Sequence, residues 1–112
     1  MLYLNIALFA VAAIIGLIIL KNWLTSATTS RAVVYAHGIF AAAGLVLLFI
    51  YFMKNNDQQD IKTSLVLFAV AAVAGFYMFF QDLKGKFSPT WLAVIHGLVA
   101  VVGFVFLLMA VI

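Results

Sequence analysis

The sequence predicts an all-α membrane protein, a four-transmembrane-helix up-down bundle built from two parallel-repeat helical hairpins. Of its 112 residues, 69% are hydrophobic and only 8% are charged, whereas about a quarter of the residues in a soluble domain are charged. Four long apolar runs follow one another along the chain, and the second half repeats the pattern of the first. These observations predict a single transmembrane domain that covers residues 1–112.

The four apolar runs have the length of membrane-spanning helices. They are Leu2–Leu20, Ala32–Met53, Leu65–Phe80 and Thr90–Ile112. A helix needs about 20 mainly apolar residues to cross a hydrocarbon core of roughly 30 Å, and the third run reaches that length once Ile61, Thr63 and Ser64 are included. The segments between the runs are short, roughly 21–31, 54–61 and 81–89. Short connections favour an up-down bundle of antiparallel neighbours.

The two halves of the chain align without a gap at a shift of 59 residues, the spacing between His37 and His96. Repeat 1 covers about 1–53 and repeat 2 about 60–112. The other identical positions include Leu8 to Ala13 with Leu67 to Ala72, Gly16 with Gly75, Gly38 with Gly97, Ala41 with Ala100, Gly44 with Gly103, and Leu48 with Leu107. Because each repeat holds two spans, both repeats enter the membrane from the same side. A pseudo-two-fold axis along the membrane normal therefore relates them, unlike the inverted repeats of many transporters.

The charged residues lie at the ends of the spans and in the connections, and their distribution predicts an orientation. Four of the six basic residues fall at one end of the bundle and two at the other. The four are Lys21, Arg31, Lys84 and Lys86, and the two are Lys54 and Lys62. By the positive-inside rule, the loops between helices 1 and 2 and between helices 3 and 4 are cytoplasmic, and both termini lie outside. We expect an integral protein of a bacterial inner membrane, with the lipid bilayer as its partner.

Composition also excludes several classes of function. The net charge of +3 is loop charge beside a membrane surface and is too dispersed for a nucleic-acid site. The chain has no cysteine, which excludes thiolate metal sites and covalent haem attachment. A structural zinc site needs about four ligands, and the spans offer two histidines and no acidic residue. Because no nucleophile–base pair for hydrolysis occurs in the spans, we expect a binding or electron-carrying protein with no catalytic residues.

His37 and His96 are predicted to lie at one depth in the membrane. His37 comes six residues after Arg31 and His96 six residues after Thr90, which is about 9 Å along the helix axis. The matched positions 4, 7 and 11 residues beyond each histidine form one helical face, which we expect to point at the bundle axis. Helices 1 and 3 run the opposite way. Gly16 lies five residues before Lys21 and Gly75 six residues before Gln81, so both fall in the same layer.

One interpretation of this layer is packing. Small residues let membrane helices approach closely, and a buried histidine can hydrogen-bond to a neighbouring helix or to a backbone carbonyl. The protein would then be a cofactor-free structural or interaction subunit of a larger membrane complex. A small transporter is the least favoured alternative, because the spans lack charge and the repeats are not inverted. A homo-oligomer is compatible with the large apolar surface.

The other interpretation is a haem b site with His37 and His96 as ligands of the iron. Two neutral imidazoles at one depth on diagonal helices are the ligands that a bis-histidine haem needs. The glycines at positions 16 and 75 would clear the flat macrocycle, and Gly44 and Gly103, one heptad beyond the histidines, would widen the space. The basic residues at the nearer surface would face the propionates. This interpretation predicts a small membrane cytochrome b-like electron-transfer protein that exchanges electrons with a quinone or a redox protein.

The second histidine helix carries the strongest motif. Residues 89–103 read P-T-W-L-A-V-I-H-G-L-V-A-V-V-G. This run resembles the pattern P-x-x-L-A-x-x-H-G-x-x-A-x-x-G of small uncharacterised bacterial four-helix membrane proteins with a duplicated H-G-x-x-A-x-x-G helix. The first copy has Ser30 where the second has Pro89. The resemblance implies the same fold and no particular activity. The histidine pair is similar in layout to cytochrome b561-type proteins, whose longer motifs and second haem are absent here.

Overall fold

The computed structural model describes residues 2–25, 30–86 and 88–112, and within these ranges all regular structure is helical. The helices are α1 Leu2–Leu24, α2 Arg31–Lys54, α3 Gln59–Leu83 and α4 Thr90–Met109. All four are long and apolar enough to cross a membrane. The prediction of an all-α, four-helix membrane bundle is therefore confirmed. Most of the first predicted connection, residues 26–29, lies outside the described residues.

The helix ends differ from the ends of the apolar runs, because polar residues at a membrane surface can continue helical hydrogen bonding. α3 starts at Gln59 and ends at Leu83, so it is longer at both ends than the run Leu65–Phe80. Gly85 follows it with a φ of 73°, a left-handed conformation that suits glycine and ends helices. α4 ends at Met109, three residues before the end of its predicted span.

The helices form a closed bundle in which sequence neighbours pack side by side. α1 packs along α2 and α3 along α4, and contacts of α1 with α4 and of α2 with α3 close the bundle. Within the described ranges, neither α1 and α3 nor α2 and α4 approach each other closely through their backbones, so each pair occupies a diagonal. The bundle measures 43 × 22 × 21 Å. It is long enough to cross a hydrocarbon core of roughly 30 Å.

The core lies on the pseudo-two-fold axis and consists of matched residues from the two repeats. Phe9 and Phe68 stack across the axis with ring centroids 3.9 Å apart and planes 4° apart. Leu48 and Leu107 are fully buried on the other diagonal. Most other large apolar side chains lie exposed on the outer surface. An apolar outer surface of this extent is favourable in lipid and unfavourable in water.

Removal of one ring of the stacked pair should destabilise the bundle. Phe9→Ala leaves a cavity on the axis, and the lost dispersion contacts should cost roughly 2 kcal/mol of unfolding free energy. Phe49→Ala is the control, because Phe49 is 52% exposed on the outer surface and should cost much less. Unfolding in mixed micelles of rising SDS content, followed by circular dichroism, measures both. Equal losses would contradict the axial position of Phe9.

Candidate histidine site

The candidate site is a layer of two histidines and two glycines near one end of the bundle. α2 begins at Arg31, where the Ser30 hydroxyl oxygen accepts a hydrogen bond from the Val33 amide at 3.4 Å, as a helix-capping side chain does. α4 begins after Pro89, whose backbone is extended with a φ of −60°. These different starts place His37 and His96 at the same depth, each six residues beyond the first residue of its helix.

Each imidazole hydrogen-bonds to the backbone of the other helix of its own hairpin. Nδ1 of His37 lies 2.8 Å from the carbonyl oxygen of Ala12, and Nδ1 of His96 lies 2.8 Å from that of Ala71. A carbonyl oxygen only accepts hydrogen bonds, so Nδ1 carries the hydrogen in both rings. In a neutral imidazole the second nitrogen, Nε2, then keeps a free lone pair. The two histidines therefore offer two equivalent acceptor or metal-ligand atoms.

Gly16 and Gly75 make room for the imidazoles. A Cβ on Gly16 would lie 2.9 Å from Cε1 of His37, and a Cβ on Gly75 would lie 3.1 Å from Cε1 of His96. Both distances are shorter than ordinary van der Waals contact, so a side chain at either position would require the ring beside it to shift. Each glycine follows, by one helical turn, the alanine whose carbonyl accepts the bond. The small-xxx-small pattern thus supplies both the hydrogen-bond acceptor and the space.

The two imidazoles come together near the bundle axis. Their ring centroids are 6.3 Å apart and their planes make an angle of 77°. A metal ion lies about 2 Å from a ligating ring nitrogen and hence roughly 3 Å from the ring centre, so two imidazoles on opposite sides of one ion have centres about 6 Å apart. In the described part of the chain, no three His, Asp or Glu side chains cluster. A metal ion here would therefore have these two imidazoles as its side-chain ligands.

Gly44 and Gly103 lie one heptad deeper and contact the aromatic pair. A Cβ on Gly44 would lie 3.0 Å from Cζ of Phe9, and a Cβ on Gly103 would lie 3.5 Å from the ring of Phe68. Seven residues correspond to about 10 Å along a helix. The inward positions between the two layers hold small side chains, namely Ala12, Ala71 and Ala100. Methyl groups therefore line the axis between the imidazoles and the phenyl rings.

The end of the bundle nearest the histidines is positively charged. Lys21, Arg31, Lys84 and Lys86 are exposed there. Arg31 pairs with Asp82 at 3.8 Å, which connects the start of α2 to the end of α3. An exposed ion pair of this kind contributes only about 0–1 kcal/mol. The pair is weak enough for another anion at this surface to compete for the guanidinium.

Sequence reasoning missed a second polar layer, at the opposite end of the bundle. Asn5 and Ser64 are matched by the 59-residue shift, and both are fully buried one turn before Phe9 and Phe68. Ser64 donates a hydrogen bond to the carbonyl oxygen of Gly103 at 2.8 Å. The side chain of Asn5 has no partner among the described residues. The coincidence of two polar residues in the aligned repeats is the signal that could have identified this layer.

The fold and the site together define a four-helix membrane protein with a pair of imidazoles near its pseudo-two-fold axis. Comparison with protein-family models, with curated proteins and with solved structures finds no significant match to this chain. Any function proposed for the protein therefore depends on the geometry and chemistry of its own residues.

A methyl group at position 16 should displace His37. Gly16→Ala puts a Cβ 2.9 Å from Cε1 of the imidazole, and relief requires either loss of the hydrogen bond to Ala12 or separation of α1 from α2. Overpacking of this kind costs about 1–3 kcal/mol. SDS-induced unfolding of the variant should show a loss of free energy in that range.

Gly38→Ala is the matched control for this substitution. A Cβ at Gly38 meets nothing within 4 Å, and alanine favours a helix over glycine by up to about 1 kcal/mol. The control should therefore be neutral or slightly more stable than the parent protein. If both substitutions changed stability equally, Gly16 would not be the space for the imidazole.

Proposed function

We propose that the protein is a small membrane cytochrome b that binds one haem b between His37 and His96 and transfers electrons. The observation that carries the proposal is the imidazole pair, with ring centroids 6.3 Å apart and each Nδ1 on a backbone carbonyl. Metal-binding histidines commonly donate their other N–H to a carbonyl, which orients the ring and makes it a better ligand. Two neutral imidazoles form the ligand set of a bis-histidine haem.

The surroundings of the pair are compatible with a flat group. A flat group between the rings would extend toward α1 and α3, because α2 and α4 lie on one diagonal of the bundle. At the depth of the histidines these helices carry Gly16 and Gly75, so no side chain projects from either position. The next large side chains on the axis, Phe9 and Phe68, lie seven residues away, about 10 Å deeper. Because the imidazoles themselves contact Gly16 and Gly75, a macrocycle would have to displace the rings and move the neighbouring helices apart.

The residues of the chain would hold the group in a defined way. Haem supplies reversible one-electron transfer, which no side chain of the spans provides. His37 and His96 would bind the iron through Nε2, and the Ala12 and Ala71 carbonyls would keep both rings in the required tautomer. Arg31 would exchange its weak contact with Asp82 for a propionate. The proposed role of the histidines follows from their hydrogen bonds, and that of Arg31 follows from its charge at the basic end of the bundle.

The depth of the site indicates where electrons would enter and leave. The histidines lie six residues into their helices, about 9 Å below the basic surface, and the described residues hold no second pair of histidines. Electron exchange would therefore take place at the basic end. The partners that fit are a quinone in the bilayer or a redox protein with negative charge on its docking face.

A cofactor-free role has one observation in its favour, the close fit of each imidazole to its glycine. In that case each histidine stabilises the packing of the two helices of its hairpin through the hydrogen bond to the alanine carbonyl. The bundle would then be a structural or interaction subunit of a larger membrane complex. The two proposals differ in whether iron occupies the Nε2 side of the rings.

Absorbance spectroscopy separates these proposals. The purified protein, as isolated or after addition of hemin, should show a Soret band that sharpens on reduction, as expected for a six-coordinate bis-histidine haem. His96→Ala removes one ligand and should abolish the bis-histidine spectrum, and His37→Ala should do the same.

Ile95→Ala is the matched control for the histidine variants. Ile95 precedes His96 but is 47% exposed on the outer surface, so the spectrum should be unchanged. A colourless preparation that does not take up hemin would contradict the haem proposal. In the cofactor-free case, replacement of both histidines by glutamine should leave a folded protein, and its spectrum should be featureless like that of the parent.

A further inference from the structure

A fully buried carboxamide lies at the end of the bundle opposite the histidines. Asn5 has 0% of its surface exposed, and neither Oδ1 nor Nδ2 has a hydrogen-bond partner in the described ranges. It lies three residues beyond Leu2, the first residue of α1, or about 5 Å along the helix. Asn5 is therefore inside the bundle but close to one membrane surface.

A buried carboxamide without hydrogen bonds is strongly unfavourable. The group carries two donor hydrogens and an oxygen with two lone pairs, and its transfer from water into an apolar medium is costly unless those groups find partners. The bilayer core contains no bulk water that could supply them. Asn5 therefore needs partners inside the bundle that accept from Nδ2 and donate to Oδ1, and a single group that does both would satisfy it.

The second repeat shows a direct bond at the matched position. Ser64 is also fully buried and donates to the carbonyl oxygen of Gly103 at 2.8 Å. For Asn5 the matched acceptor is the carbonyl of Gly44. A Cβ on Gly44 would lie 3.0 Å from the ring of Phe9, whereas the ring of Phe68 would lie 3.5 Å from a Cβ on Gly103. The Phe9 ring, one turn from Asn5, thus lies closer to α2 than the Phe68 ring lies to α4. The Asn5 carboxamide makes no direct hydrogen bond to α2.

We propose that Asn5 binds one water molecule inside the bundle, and that this water connects the carboxamide to the Gly44 carbonyl of α2. Water donates and accepts at once, and buried waters typically make about three hydrogen bonds to groups that otherwise have none. Asn5 supplies a donor and an acceptor, and the Gly44 carbonyl supplies a second acceptor. The largest fully buried side chains in the described part of the chain are Leu48, Ile61, Leu107, Asn5 and Ser64. None is charged, so a neutral ligand fits better than an ion.

With the bound water, each hairpin would have a polar link between its two helices at this depth, although the two hairpins differ in sequence there. In the second hairpin a serine hydroxyl joins α3 directly to α4. In the first, asparagine and water together would join α1 to α2. The water site does not depend on the haem proposal, because it lies beyond the phenyl stack from the histidines and uses only the backbone carbonyl of Gly44, which is present with or without haem.

Nuclear magnetic resonance of protein labelled with 15N-asparagine, in lipid nanodiscs, tests this proposal. Cross-relaxation between the Nδ2 protons of Asn5 and water, measured in the laboratory and rotating frames, distinguishes a long-lived bound water from contact with bulk solvent. We expect the Asn5 protons to show a cross-peak with the sign of a bound water. Asn5→Ser should remove the signal and so assign it, and it should fold because the second repeat already has serine at this position.

Asn55 provides an internal comparison, because its Nδ2 donates directly to the Tyr51 carbonyl at 3.2 Å at the end of α2. Asn5 protons that contact only protein protons and show no water cross-peak would overturn the proposal, because the carboxamide would then bond directly to the backbone. Preparations with and without haem should give the same Asn5 result, so failure of the haem proposal leaves this test intact.

Discussion

The hydrogen bond from a histidine Nδ1 to a backbone carbonyl of the facing helix is the interaction on which the rest of the site depends. It occurs once in each hairpin, at 2.8 Å in both. The bond fixes which ring nitrogen carries hydrogen and which keeps its lone pair. It also requires the two helices of the hairpin to approach so closely that only glycine fits beside the ring, at Gly16 and Gly75. Tautomer, ring position and helix spacing thus have a common cause.

Duplication turns this local arrangement into a paired site. A single hairpin supplies one imidazole bonded to a carbonyl, and the second hairpin supplies a matching imidazole with its bond of the same length. The separation of the ring centroids, 6.3 Å, follows from how closely the hairpins pack, and the stack of Phe9 on Phe68 at 3.9 Å is a close aromatic contact between them. Along the axis, a matched pair of polar residues therefore lies at each end, and apolar pairs lie between the two ends.

Much of this arrangement could be predicted from the sequence. The hydrogen-bond partners of the histidines and the contacts of the glycines could not, for physical reasons. Span length and the 59-residue repeat are visible in the residues, and helical rise converts the positions of His37 and His96 into a common depth. The packing interpretation includes a bond from a histidine to a backbone carbonyl, but every residue type carries a carbonyl, so no side-chain pattern reveals which one accepts the bond. The contact of Gly16 with an imidazole depends on a rotamer that the sequence does not specify. That glycine clears a macrocycle stays a prediction.

The protonation of the two imidazoles tests the central claim most directly. Solid-state 15N spectroscopy of histidine-labelled, iron-free protein in lipid bilayers at neutral pH separates protonated from bare ring nitrogens, and His96→Gln assigns the two residues. Both histidines should have hydrogen on Nδ1 and a bare Nε2, because a carbonyl oxygen accepts from Nδ1 in each hairpin. Hydrogen on Nε2 of either residue would contradict the claim, since that nitrogen would then have no lone pair for a metal ion.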